Sequence, residues 1–392
     1  MLDQRILDYI ESHAKEAREL LITLAQIPSP SNHEEKRAEF CREWLEMQGA
    51  KGVFIDDALN VIYPIAVTEE NPVVVFMAHT DVVFPDTDSL PLKIEDGKIC
   101  CPGVGDDTAN LACLMMIAKY MTETGLVNEL ECAVAAGVQP WGLLLVCNSG
   151  EEGLGNLKGS RKICETYGKR IKEFYSFDGT LSDMAVRAVG SKRFRITVRT
   201  IGGHSYGAFG NPNAIAQLSE LIHELYQVQV PREGKTTYNV GMISGGTSVN
   251  TIAQSAEMLY EFRSDSREGL SYMEDKFEHI MENAKKRGVN FQIEVVGLRP
   301  CEGDVDKQAR ENMIKLASDT VTEYTGKVPN QTPGSTDCNI PLSMGIPSLC
   351  MGTYEGSGAH TREEYIMIDS LMSGYKVGFQ MVMNYCRGLS QN

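Results

Sequence analysis

The chain lacks any run approaching the roughly 20 apolar residues that a membrane span needs. Its first twenty residues, MLDQRILDYIESHAKEAREL, are charged throughout and lack the basic tip and apolar core of a secretory signal. A cytoplasmic protein with no membrane partner is expected. A basic stripe is missing as well. Lys and Arg number 37 against 53 Asp and Glu, a formal charge of -16, whereas phosphate backbones and anionic lipid call for clustered cations. Nucleic acid is therefore not an expected partner. The 11 cysteines form no CxxC pair, and Cys113, Cys147 and Cys350 lie in apolar segments. An odd count so scattered suits reduced, mostly buried thiols better than a disulfide framework. The adjacent Cys100 and Cys101 carry no functional reading. Internal repeats and low-complexity segments are absent too. What remains is an ordinary globular composition over 392 residues, roughly two domains' worth of chain.

The first forty-eight residues predict two amphipathic helices broken by IPSPS, because Pro28 and Pro30 cannot continue a helix. Strands are expected over 60–67 and 73–78. The glycine-rich turn CPGVGDD follows, and then a buried helix over 108–124. A strand over 142–147 ends at NSGEEGLGN, and another over 173–177 ends at DG. Strands alternating with helices predict an α/β domain whose mostly parallel sheet is flanked by helices. Ligand sites in such sheets lie beyond the carboxyl ends of the strands. From residue 188 the order changes to strand, helix, strand, strand, helix, strand, ending near 296. That is the split β-α-β order of a ferredoxin-like α+β domain. The α/β pattern resumes near Asp304, with a helix to Tyr324, a strand over 346–351 and a closing helix from Asp369. The expected organisation is one domain formed by 1–187 and 301–392, interrupted by an insert over 188–300.

The chemistry sits at the strand ends. His79 and Asp81 lie in AHTD, Asp106 and Asp107 in GVGDD, Glu151 and Glu152 in SGEEG, Asp178 in FDG and His360 in GSGAH. Acidic residues beside glycine are usually loop residues, and each motif alone is weak. Jointly they fall where an α/β sheet puts its site. Several carboxylates gathered there would repel one another unless cations held them. Nitrogen and oxygen donors without thiolate suit zinc, cobalt or manganese, and a bridging carboxylate allows two ions about 3.5 to 4 Å apart.

In this order, with an inserted lid between FDG and GAH, these motifs resemble the zinc-dependent exopeptidase and aminoacylase family. Its members include peptidase T, carboxypeptidase G, aminoacylase and succinyl-diaminopimelate desuccinylase, and the overall similarity tilts toward the peptidase T group. The resemblance covers essentially the whole chain, IPSPSNHEE included. It implies that Asp106 bridges two metals, that His79 and Asp178 complete one shell, and that Glu152 and His360 complete the other. It implies Glu151 as the general base, taking a proton from a metal-activated water, and Asp81 as the carboxylate that orients His79. In the insert, His204 in GGHS matches an oxyanion-steadying His commonly supplied by the partner subunit. Asn250 in SGGTSVN matches a substrate-contacting Asn, and Arg263 in LYEFRSD an arginine that pairs with a substrate carboxylate. The implied protein is a homodimer joined through this lid and dimerisation domain. The implied activity is amide hydrolysis of small peptides by an aminopeptidase, dipeptidase or tripeptidase, with N-acyl amino acid deacylation as the alternative. One departure stands out: Thr108 occupies a place where many members have Lys. His13, His33, His223 and His279 are expected at the surface. A catalytically silent binding protein would be favoured by a missing ligand or base, and none is missing. A nucleotide-binding protein would need a glycine-rich phosphate turn after the first strand, and MAHTD supplies none.

Overall fold

The computed structural model describes residues 1–386. The chain forms two compact units, Met1–Arg187 together with the segment from Gly303 onward, and Ala188–Glu302.

The first unit is built on an eight-stranded mixed sheet. Its centre runs parallel: the Val73–His79 strand lies between Gly142–Asn148 and Ile171–Phe177, and Ser348–Met351 extends the parallel set. Val61–Ile65 and Asp183–Ala188 flank this set with antiparallel pairing, and Phe54–Ile55 and Asn330–Gly334 form the two edges of the sheet. Val73–His79 is buried at every position, as its uninterrupted apolar sequence requires of a strand covered on both faces. One face packs under the buried helix Asn110–Glu123, which joins Leu24, Phe76, Leu145, Tyr175 and Phe379 in a single core. The C-terminal helix Ile368–Met383 reaches this core through Gly374. A Cβ on that glycine would run into the carbonyl of Thr353, so only glycine permits the approach.

Where two opening helices were expected there are three, Gln4–Ser12, Ala14–Ala25 and Glu35–Met47. The extra break falls at His13, whose ring stacks on Tyr9 at 3.8 Å and whose Nδ1 lies 2.9 Å from the Tyr9 carbonyl. His13 is thus half-buried, not a surface residue, whereas His33, His223 and His279 are exposed. All eleven cysteines are free, and nine are buried. Among the described residues no helix is long and apolar enough to cross a membrane.

The second unit is a four-stranded antiparallel sheet with two helices, in the ferredoxin-like order. Thr236–Gly245 is at one edge, then Ser255–Ser264, Gly190–Arg199 and Phe291–Arg299. Ser255–Ser264 alternates between buried and half-buried residues, as a sheet with one covered face must. The buried row packs with Leu218, Leu221, Met273 and Phe277 of the helices Ala214–Leu225 and Arg267–Lys286. The two ends of the unit leave from paired neighbours, Ser191 lying opposite Arg299.

Candidate metal centre

The carboxyl ends of the central strands lie level. His79 stands opposite Asn148, and Met77 opposite Ser176. Asp178, one residue past its strand, therefore comes up beside His79, and the ligand atoms of His79, Asp106 and Asp178 lie within 4.8 Å of one another. Two further groups share members with this one: His79 with Glu151 and Glu152, and Asp106 with Glu152 and His360. All five residues expected as ligands are gathered at one place.

Asp106 is the hub. Its Oδ1 is 3.0 Å from His79 Nε2, and its Oδ2 is 3.1 Å from His360 Nε2. The same His360 nitrogen is 2.8 Å from Glu152 Oε1. The Asp106–Asp107 peptide is cis, and His360 adopts φ of 65°. Such a left-handed conformation is uncommon for a residue with a side chain, and it persists where the surroundings hold it.

Burial, with the Asp106 and Glu151 charges beside it, pushes the Glu152 carboxyl up to about 8. Burial and Asp106 push Asp178 up to about 7. Against its own burial, Asp106 is held below the carboxylate range by hydrogen bonds from His360 and His79. Hydrogen bonds to Asp106 and Glu152 raise His360 to about 11. These are the signs of negative charge crowded beyond what two imidazoles can balance. Imidazole nitrogen and carboxylate oxygen without thiolate fit divalent zinc, cobalt or manganese, and the crowding fits the cations' charge.

Asp81 meets His79 and in addition ties two turns together. The nearest acceptor to His79 Nδ1 is the Asp81 carbonyl at 2.9 Å, with its Oδ1 at 3.5 Å. The Asp81 carboxylate also receives the backbone N–H of Glu151 at 3.0 Å, that of Glu152 at 2.9 Å and the Ser31 hydroxyl at 2.7 Å. It anchors the GEEG turn to the HTD turn, and Ser31 brings the IPSPSNHEE segment into that anchor.

Asp107, named among the strand-end acids but given no role, and several residues not singled out at all complete the surroundings. Asp107 accepts the His79 N–H at 2.8 Å and the Asn110 amide at 2.7 Å, and Asn110 in turn receives the Thr353 N–H and hydroxyl, both at 2.7 Å. Asn148 donates to Asp337 at 2.6 Å. Asp337 is fully buried, and burial with the nearby Glu151 charge holds its carboxyl well above the usual range. Arg37, also fully buried, donates to the Thr80 carbonyl at 2.9 Å and the Ile27 carbonyl at 2.7 Å, with Thr108 Oγ1 at 3.4 Å. A cation thus stands beside Thr108 after all, supplied from another helix. Polarity inside the apolar register of Glu35–Met47 was the only available signal for it.

In the second unit His204 and Asn250 are neighbours. Gly203–His204 pairs with Thr251–Ile252, and the Ser205 N–H donates to the Asn250 carbonyl at 2.9 Å. Both residues are exposed. Arg263 is engaged within its own sheet, with Nε and Nη2 donating to the two oxygens of Glu261 at 3.0 and 3.2 Å.

The family model described as peptidase family M20/M25/M40 matches residues 75–384. Among curated proteins, the uncharacterized protein YqjE of Bacillus subtilis is 23% identical over 91% of this chain and 95% of its own length. The succinyl-diaminopimelate desuccinylase of Corynebacterium glutamicum is 24% identical over 89% of this chain and 91% of its own. Among solved structures, the aminopeptidase PepT of Bacillus cereus superposes with a TM-score of 0.69 at 20% identity, covering 95% of this chain and 99% of that one. That likeness is one of fold.

Proposed function

The chain belongs to peptidase family M20/M25/M40, and from that premise we propose that it uses two divalent metal ions to cleave an amide bond of small peptides, as an aminopeptidase, dipeptidase or tripeptidase. The observation that carries the reading is the position of Asp106, each of whose oxygens lies by a different imidazole. A carboxylate so placed can serve two ions at once. His79 and Asp178 would hold one ion, and Glu152 and His360 the other, with zinc as first choice and cobalt or manganese as alternatives. Ions held there supply Lewis acidity toward a carbonyl oxygen and toward water.

The protein's own groups do the rest. Glu151 takes a proton from the attacking water and passes it to the leaving nitrogen. Asp81 sets its position by holding the backbone of Glu151 and Glu152 with one carboxylate. In a homodimer joined through the second unit, His204 of the partner subunit steadies the oxyanion, and Asn250 contacts the substrate. Arg263 receives the substrate's carboxylate in exchange for Glu261, a bidentate partner of the same chemistry.

Deacylation of N-acyl amino acids is the second reading, because the same groups perform it and a desuccinylase is similar to this chain over most of its length. Dipeptides, tripeptides and N-acyl amino acids should be assayed side by side after chelation and after adding back zinc, cobalt or manganese. Hydrolysis of peptides that is lost on chelation and restored by metal is expected. A preference for acyl substrates would select the second reading. Full activity after verified metal removal, or no hydrolysis by the loaded protein, would sink both.

A further inference from the structure

Glu364 is four residues beyond His360 and 2% exposed. Its Oε2 receives the N–H of Gly103 at 2.6 Å, and its Oε1 receives those of Gly105 at 2.9 Å and Asp106 at 2.8 Å. Its own carbonyl receives the Cys101 N–H at 3.1 Å. The strand that begins beside it, Tyr365–Met367, pairs antiparallel with Lys98–Cys100 just before the same loop. The turn that carries Asp106 is therefore folded around one carboxylate, and that carboxylate comes from the segment that carries His360.

The consequence lies in Asp106. Its two oxygens reach His79 and His360 at 3.0 and 3.1 Å, so a shift of its backbone would move both contacts at once. Glu364 holds the N–H of that same residue. Besides the contact of His360 itself with Asp106, Glu364 ties the backbone of the GVGDD turn to the His360 segment through three hydrogen bonds.

We propose that Glu364 is a positioning residue that couples the Asp106 turn to the His360 segment and so sets the spacing at which two metal ions share Asp106. The proposal rests on the dinuclear reading given above. Substituting the groups that orient metal ligands typically costs about 10 to 100-fold in metal affinity. In Glu364→Gln an amide NH2 replaces one oxygen and faces a backbone N–H, so the three-fold clasp cannot close. Glu364→Asp keeps two acceptor oxygens on a shorter stem and carries the test if the Gln variant does not fold.

Zinc is titrated into metal-free protein against a chromophoric chelator, with stoichiometry by elemental analysis, and melting temperatures are taken with and without zinc. The wild type should take up two ions. Glu364→Gln should retain the first and bind the second about 10-fold or more weakly, with Glu364→Asp between the two. The metal-free melting temperature should fall modestly, and the rise on adding zinc should shrink by more. A folded variant that binds both ions as the wild type does overturns the proposal. So does an equal loss of metal-free stability and of both ions, which marks a purely structural role. A wild type that binds fewer than two ions overturns the dinuclear reading itself.

Discussion

Glu151 and Glu152 are neighbours in the chain with different surroundings. Both lie with His79, but Glu152 meets His360 at 2.8 Å, whereas Glu151 brings its charge near the buried Asp337. The pair can therefore be separated by experiment. Glu151→Gln keeps shape and removes the base, so turnover should fall about 10² to 10⁴-fold while metal content, measured by elemental analysis, stays nearly unchanged. A collapse of metal content would assign the ligand role to Glu151. Arg37 permits a second prediction at this scale. Its guanidinium holds the carbonyls of Thr80 and Ile27 and supplies positive charge near Asp81 and Asp107. Arg37→Met fills the space and leaves both carbonyls without a donor, so denaturant unfolding should show a loss on the order of 2 to 5 kcal/mol. An unchanged midpoint would mean that water replaces the guanidinium.

The helix Ile368–Met383 shows how an element far from the metals reaches them. Gly374 lets the helix close on Thr353, Thr353 holds Asn110, and Asn110 holds Asp107, which receives the His79 N–H. Gly374→Ala gains up to about 1 kcal/mol in helix propensity but forces a methyl against a backbone oxygen. A net destabilisation of about 1 to 3 kcal/mol is expected in thermal unfolding, together with weaker metal binding. A variant as stable as wild type would show that the helix can shift freely. The same elements explain what was legible in the sequence. Strands such as Val73–His79 and Gly142–Asn148 announce themselves by apolar runs, and AHTD, GEEG and FDG lie directly at their ends, so local pattern located the acids. Asp337 was not legible, because its partner Asn148 is 189 residues away and nothing in GSTDCN marks it as buried. Arg37 was hidden for a related reason. An arginine on an amphipathic helix reads as solvated, and only the tertiary fold reveals the carbonyls that claim it. The break at His13 depends on a stacking contact with Tyr9 that helical periodicity does not encode.

At the scale of the whole molecule, each unit has its own core. The second unit also carries an exposed edge strand, Thr236–Gly245, suited to pairing with another copy. If His204 acts across a dimer, mixing the inactive variants His204→Ala and Glu151→Gln under subunit exchange should restore one of the two sites in each mixed dimer. Absence of recovery after proven exchange, or a fully active monomer, would confine His204 to its own subunit. The order in which the parts are made matters as well. The insert's two ends lie on paired strands, so it can fold as soon as Arg299 has left the ribosome. The first unit cannot complete its sheet then, since Ile171–Phe177 awaits Ser348–Met351. Until His360 and Glu364 emerge, the acids at 106, 152 and 178 are held by a nascent chain with only part of its donors. If metal is held as proposed, its full set of donors exists only once this last segment has been made.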